Sequence, residues 1–383
     1  MTKMSDDGGA GAPGTVPAGP QAGFARHLEA GTPQTFEAMT VVPLSFPGDR
    51  GPDFRTLAQG IASGKVRVTE VDKGGSVPNL MVVNTGSLAT LILGGEELAG
   101  AKQNRVLNAT ILVREHSELV VPVSCTEQGR WHYDSAAFAD SGYVADHRVR
   151  GALNSCVEMS LCDGAGYRGD QGRVWDEVEQ LHARQGTSSA TGAMRDAFVS
   201  RQHEIDDYLE AFPIVDGQHG LLVLLGGEVA GIDFVSRTAA YAQVHRKLLQ
   251  SYALEAQALE RGTRADARGA AGAAGKRRAK PTRKSADEAL TRANAFLGTV
   301  AGLTGRSYKS PGRGWDVRYR GPGVVGSTLT VDEVAVHGAF FAEGNGGDGE
   351  RGERDGRMAG IARRRHMHAD HRPCGRPDDE LIY

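Results

Sequence analysis

The stretch "GGEELAGAKQNRVLNATILV", Gly94–Val113, decides how this chain is read. It follows the apolar run Leu88–Leu93 and ends in another, Thr110–Val113. Between them stand Glu96, Glu97, Lys102, Gln103, Asn104, Arg105 and Asn108, far more hydrogen-bonding groups than a solvated turn needs. "VLNATILV" is rich in β-branched residues and suits a strand better than a helix. The reading is therefore two strands joined by a tight turn at Ala99-Gly100, with glycine supplying any positive φ. In that register Glu97 faces Lys102 and Glu96 faces Gln103. Alternation of side chains then puts Lys102, Asn104 and Asn108 on one face and Gln103 and Arg105 on the other.

An ion pair across a solvated hairpin contributes only ~0.2–1 kcal/mol and accounts for the charges alone. It does not account for the amides of Gln103, Asn104 and Asn108, which are poor strand formers. Carboxylate, amide and guanidinium together suit a small polar ligand bearing hydroxyls and phosphate or carboxylate groups. A second polar cluster follows in "VPVSCTEQGRWHYD", where Glu127, Arg130 and Trp131 end the run Leu119–Val123. Loops at strand ends commonly line sites. Trp131 can stack a base or a sugar face, or serve as partial core.

Outward from these clusters, short β-rich runs at Val66–Val71, Leu80–Asn84, Val106–Val113 and Glu118–Val123 are spaced as in an antiparallel sandwich or barrel. The texture then turns helical. "QGRVWDEVEQLHARQG" and "TGAMRDAFVSRQHEIDDYLEAF" carry apolar residues at helical spacing, as does a long stretch with Tyr241, Val244, Leu248 and Tyr252. Strands return in "GLLVLLGG", "EVAGIDFV", "GWDVRYRG", "GVVGSTLTV" and "EVAVHGAFF". "SADEALTRANAFLGTVAGL" opens on a capping box, Ser285 and Glu288. The fold class is α+β: an antiparallel β-rich N-terminal half, then helices and a few further strands, in one domain. That domain is expected over residues 36–342, with residues 262–284 an inserted Gly/Ala/basic linker. Residues 1–35 and 343–383 are expected to be disordered tails, too poor in apolar side chains to order themselves.

The 383 residues carry a net charge of −3, which sets up no global field for nucleic acid or an anionic membrane. "KRRAKPTRK" lacks interleaved aromatics and reads as solvated linker. No apolar run is long enough to span a bilayer, and the N-terminus lacks the apolar core of a signal peptide. Cys125, Cys156, Cys162 and Cys374 show no paired spacing and read as reduced thiols of a cytoplasmic protein. "HMHADH" at His366–His371 looks like a metal motif, but it sits in a Gly/Arg-rich tail without downstream ligands, so no metal site is assigned. "CTEQGR" has the length of an anion loop around Cys125, yet "WHYDS" does not supply the helix N-terminus that would activate the thiol. No motif specifies a cofactor or an oligomeric state.

Taken in order, "GGEELAGAKQNRVLNATILV", "LVVPVSCTEQGRW", "DQGRVWDEV", "TGAMRDAF", "GGEVAGIDFV" and "LLQSYALEA" resemble the bacterial ARG and rhodanese-phosphatase-superfamily-associated protein domain. The resemblance runs from about Met39 to Ala342. It implies association with ADP-ribosylglycohydrolase and rhodanese or phosphatase domains, and through them an ADP-ribose-like or other phosphorylated nucleoside-type ligand. Its polar motifs fall on Glu96, Glu97, Lys102, Gln103, Asn104, Arg105 and Asn108, and on Cys125, Glu127, Gly129, Arg130 and Trp131. Three readings stand. In one, Glu96 or Glu97 is a general base or a metal ligand while Lys102, Gln103, Asn104, Arg105, Asn108, Glu127, Arg130 and Trp131 bind the ligand. In the second, the same residues make a ligand-sensing or partner-binding module without catalysis. In the third, the chain is a scaffold and the strip only pins the hairpin register. A carboxylate held apart from the cations with a raised pKa favours the first.

Overall fold

The computed structural model describes residues 18–71, 78–269 and 283–343. Its N-terminal half is built from short strands whose apolar residues alternate, and these close on themselves. β6 (Val66–Glu70), β7 (Asn79–Asn84), β9 (Glu96–Gly100), β10 (Arg105–Leu107), β12 (Ser117–Cys125) and β13 (Phe138–Val144) form a closed barrel in the order β10-β12-β7-β6-β13-β9. One face of each strand fills the lumen: Val66, Val68, Leu80, Val82, Leu98, Leu107, Val121, Val123 and Phe138 make one buried cluster. Closure leaves the barrel without an exposed sheet edge.

Beside it, β8 (Ala89–Ile92) pairs antiparallel with β11 (Ile111–Val113) and parallel with β5 (Phe54–Thr56). The run Val106–Val113, expected as one strand, is thus two. The break is at Asn108, whose N–H still reaches the Pro122 carbonyl of β12 (3.0 Å) while its side chain accepts from Ser124 Oγ (2.8 Å) and donates to the Tyr167 carbonyl (2.9 Å).

A third sheet, of ten strands among the described residues, joins the two ends of the chain. Its path starts at β1 (Ala18–Gln21) and runs through β16 (Thr304–Lys309), β17 (Trp315–Gly321), β18 (Val324–Val331), β19 (Val334–Ala342), β15 (Glu228–Val235), β14 (Gln218–Leu225), β4 (Met39–Ser45) and β2 (Glu29–Ala30), with β3 (Gln34–Phe36) also paired to β4. Helices α1 (Leu57–Ala62), α2 (His147–Cys162), α3 (Gln171–Gln185), α4 (Met194–Ser200) and α5 (Gln202–Ala211) precede the long α6 (Thr238–Gly269) and α7 (Arg283–Ala301). The fold is α+β with an antiparallel, β-rich N-terminal half. Tyr241, Val244, Leu248 and Tyr252 of α6 are buried in the main core, on the expected helical stripe.

Several boundaries differ from the expectation. Residues 18–35 are not a tail: they form β1, a 3-10 turn at Gly23–His27, β2 and most of β3. Their apolar residues are few, but they pack on a surface that already exists. Phe24 lies 5.4 Å from the Phe234 ring and 6.0 Å from Phe340. Helix α6 extends through residues 262–269, and α7 starts at Arg283, so Ser285 lies inside the helix rather than capping it. Residues 1–17, the rest of the expected linker (270–282) and the C-terminal segment with "HMHADH" lie outside the described residues. No described helix is long and apolar enough to cross a membrane.

Candidate functional site

The opening stretch does form a hairpin, but its register is not the expected one. Arg105 pairs with Leu98 and Val106 with Glu97, so the turn is Ala101–Asn104, not Ala99-Gly100. Glu97 therefore faces Val106, and Lys102, Gln103 and Asn104 belong to the turn. Long-range side-chain bonds fix this wider turn. Arg130 donates to the Ala101 carbonyl (2.8 Å) and to Asn104 Oδ1 (3.1 Å), and Asn104 Oδ1 also accepts from Gly100 N (3.2 Å). Ala101 sits at φ 41°, an unusual angle for a residue with a Cβ. Arg130 is itself anchored by Glu127 (2.7 Å), which also accepts from Asn104 N (3.2 Å) and Thr191 Oγ1 (2.9 Å). Burial pushes the Glu127 carboxyl up, but the Arg130, Thr191 and Asn104 bonds outweigh it and hold the pKa below the ordinary value.

The remaining residues separate by face. Arg105 shares its side of β10 with Leu107, so it points into the barrel, where Cys125 and Glu70 join it at the same end. Its Nη1 donates to Gln103 Oε1 (2.6 Å) and Cys125 Sγ (2.9 Å), and Glu70 Oε1 lies 4.0 Å from Nη2. Nε and Nη2 of this fully buried guanidinium make no hydrogen bond among the described residues. Over it lies the ring of Trp131, 5.7 Å from the guanidinium carbon. Lys102 Nζ stands 5.2 Å from the Trp131 ring and 5.2 Å from the Tyr133 ring. Trp131 is 49 % exposed and Tyr133 50 %, so both rings stand at the surface. The barrel end thus joins Lys102, Gln103, Arg105 and Trp131 in one place, and adds Tyr133.

The two glutamates are elsewhere. Glu96, at the start of β9, accepts from Leu93 N (3.0 Å) and from Lys247 Nζ of α6 (2.7 Å), which also reaches Asp140 (2.6 Å). Burial opposes the Lys247 charge, but the two carboxylates hold its pKa above the ordinary value. Glu97 points out of the barrel. Its Oε1 accepts from Thr126 Oγ1 (3.0 Å), and its Oε2 has no partner among the described residues. Burial raises its pKa to about 7, with the Thr126 bond, the nearby Ser141 and the charge of Arg195 opposing. Asn108 stands apart from both groups, held by Ser124 and Tyr167 as described. Lys247, Thr126, Thr191 and Tyr133 were missed in the sequence. Each is a single polar residue whose partner lies far along the chain.

The Cys125 loop is as expected: β12 ends at Cys125, and no helix begins before His147. The thiol is buried, which pushes its pKa up, with Arg105 opposing. It lacks the helix N-terminus that would make it a nucleophile.

The model of the ARG and Rhodanese-Phosphatase-superfamily-associated Protein domain matches residues 27–341. The chain belongs to that family. No curated protein and no solved structure matches it. In this family member the matched span takes in the barrel and nearly all of the ten-stranded sheet, so the barrel end is part of the family domain and not an addition to it.

Proposed function

We propose that this chain binds a phosphorylated nucleoside-type small molecule at the barrel end, with ADP-ribose-like compounds the class to test first. One arrangement carries the reading: two half-exposed rings, Trp131 and Tyr133, flank the Lys102 ammonium in front of the buried Arg105 guanidinium. An aromatic face stacks a base or a ribose, worth ~1–3 kcal/mol per base. The Lys102 ammonium beside it suits phosphate oxygens, while Arg105, wholly buried under Trp131, adds its charge to the site. Asn104, Glu127 and Arg130 act indirectly in this reading, as the posts that hold the turn carrying Lys102 and Gln103. The family's association with ARG and rhodanese-phosphatase proteins fits such a ligand.

Turnover of the ligand is the second reading; Glu97 has the acid–base chemistry for it but stands outside the barrel-end group. A carboxyl with a pKa near 7 and one unpaired oxygen can carry a proton at neutral pH. Glu96, tied to Lys247, is the weaker candidate for that role.

A thermal-shift panel of ADP-ribose, NAD, ADP and AMP tests the binding reading. A ligand at ~100 times its Kd adds about 2.7 kcal/mol of stability. At least one member is expected to raise the melting temperature of the wild type and to do so much less in Trp131→Ala. A flat response across the panel sinks the reading. Lys102→Met is the companion variant. Arg105→Met is a poor one, because it strands Glu70 in the barrel and costs stability whatever the ligand does.

A further inference from the structure

The loop between β12 and β13 carries Trp131 and Tyr133, and the β9–β10 turn carries Lys102. The two segments are far apart in the chain, and Ala101 of the turn joins them through both of its backbone groups. Its carbonyl accepts from Asp134 N (2.9 Å) as well as from Arg130 Nη1 (2.8 Å). Its N–H donates to Ser135 Oγ (2.9 Å), and the same hydroxyl donates to the Ala137 carbonyl (2.7 Å).

The backbone is shaped for that contact. Gly100 sits at φ +116°, and a Cβ there would come within 2.4 Å of Ser135 Oγ. Ala101 follows at φ 41°, a conformation that costs free energy in a residue with a Cβ. Such an angle persists where the surroundings over-determine it, and the bonds to Arg130, Asp134 and Ser135 do so here. Residues 131–136 are all exposed, so little buried apolar surface fixes the loop. Its position depends instead on directed hydrogen bonds.

We infer that Ser135 is a positioning residue of the barrel-end site. It latches the aromatic loop to the cationic turn, so that the Trp131 and Tyr133 rings each stand 5.2 Å from Lys102 Nζ before any ligand arrives. A hydroxyl suits this place because it accepts and donates at once, here from Ala101 and to Ala137. A site built this way does not have to order two segments at the moment of binding. The latch is a feature of the chain without ligand; its effect on affinity rests on the barrel-end reading.

The test compares Ser135→Ala, which removes the hydroxyl, with Ser135→Thr, which keeps it. Two readouts need no ligand. The indole N–H resonance of Trp131, identified by its loss in Trp131→Phe, is expected to shift and broaden in Ser135→Ala and to stay in place in Ser135→Thr. Those of Trp175 and Trp315 are expected to stay in place in both. The Ala101 amide is expected to exchange with solvent about fivefold faster in Ser135→Ala, the size of one net hydrogen bond. With ADP-ribose as the probe, calorimetric titration is expected to give a Kd about fivefold higher in Ser135→Ala and within about twofold of wild type in Ser135→Thr, with urea midpoints little changed. A Trp131 resonance that Ser135→Ala leaves in place, one that Ser135→Thr moves as far, or a moved resonance with unchanged ADP-ribose affinity overturns the assignment. Absence of binding by the wild type sinks the barrel-end reading instead, and the two readouts without ligand still decide the latch.

Discussion

Lys247→Met is expected to destabilise the protein by about 3–5 kcal/mol, because it removes the one ammonium that the Glu96 and Asp140 carboxylates share. Glu96 is almost wholly buried at the start of β9, and Asp140 lies on the neighbouring strand β13. One ammonium therefore ties the barrel to the long helix. Urea unfolding of Glu96→Gln/Lys247→Met should recover much of the loss, since the double variant leaves no charge at Glu96. A single variant within about 1 kcal/mol of wild type would mean that water reaches the pair and that the contact is worth no more than a surface bridge.

Glu97→Gln is expected to act in the opposite direction, and only at higher pH. Folding raises the Glu97 pKa from 4.5 to about 7, so the folded state prefers the protonated form. The cost of this mismatch is absent below the unfolded pKa. It grows as pH rises through the window from 4.5 to about 7, and is complete above it. At ~1.4 kcal/mol per pKa unit, the variant should be more stable than wild type by up to about 3 kcal/mol at pH 8, and equal to it at pH 4. Unfolding curves for both proteins at the two pH values check this. A difference that does not change with pH would show that Glu97 titrates normally. If the variant is stabilised and also loses turnover of a bound ligand while binding it, the same carboxyl serves catalysis at the expense of stability.

The strands of this fold were legible because their apolar residues alternate or run together, and the helices α3 and α6 because theirs recur at helical spacing. The opening hairpin was legible as a hairpin but not in register. Its turn is held by Arg130, Glu127 and Asn104 acting together, and nothing local to Ala99-Gly100 announces that Ala101 will adopt a positive φ. The polar positions 96–108 are all buried. Treating them as one strip was an error of geometry. Strand alternation sends Arg105 into the barrel and Glu97 out of it, and α6 takes Glu96. Helix α2 went unread although Val149, Leu153 and Val157 are spaced for it. Arg150, Asn154 and Ser155 are also buried there, and the usual contrast between polar and apolar faces is lost. Ser135 could not be found from sequence, because it is one polar residue of an exposed loop and its partner, Ala101, comes from another element. Residues 18–35 misled for the reverse reason: they order by packing on the sheet, not by forming a core of their own.

Calorimetric titration of ADP-ribose into the wild type, Trp131→Ala and Lys102→Met tests the central claim, binding at the barrel end, most directly. The expected result is saturable one-site binding by the wild type, weakened at least tenfold in each variant, with urea midpoints little changed. A wild type that shows no saturable binding of ADP-ribose, or an affinity unmoved by the loss of Trp131, would contradict it.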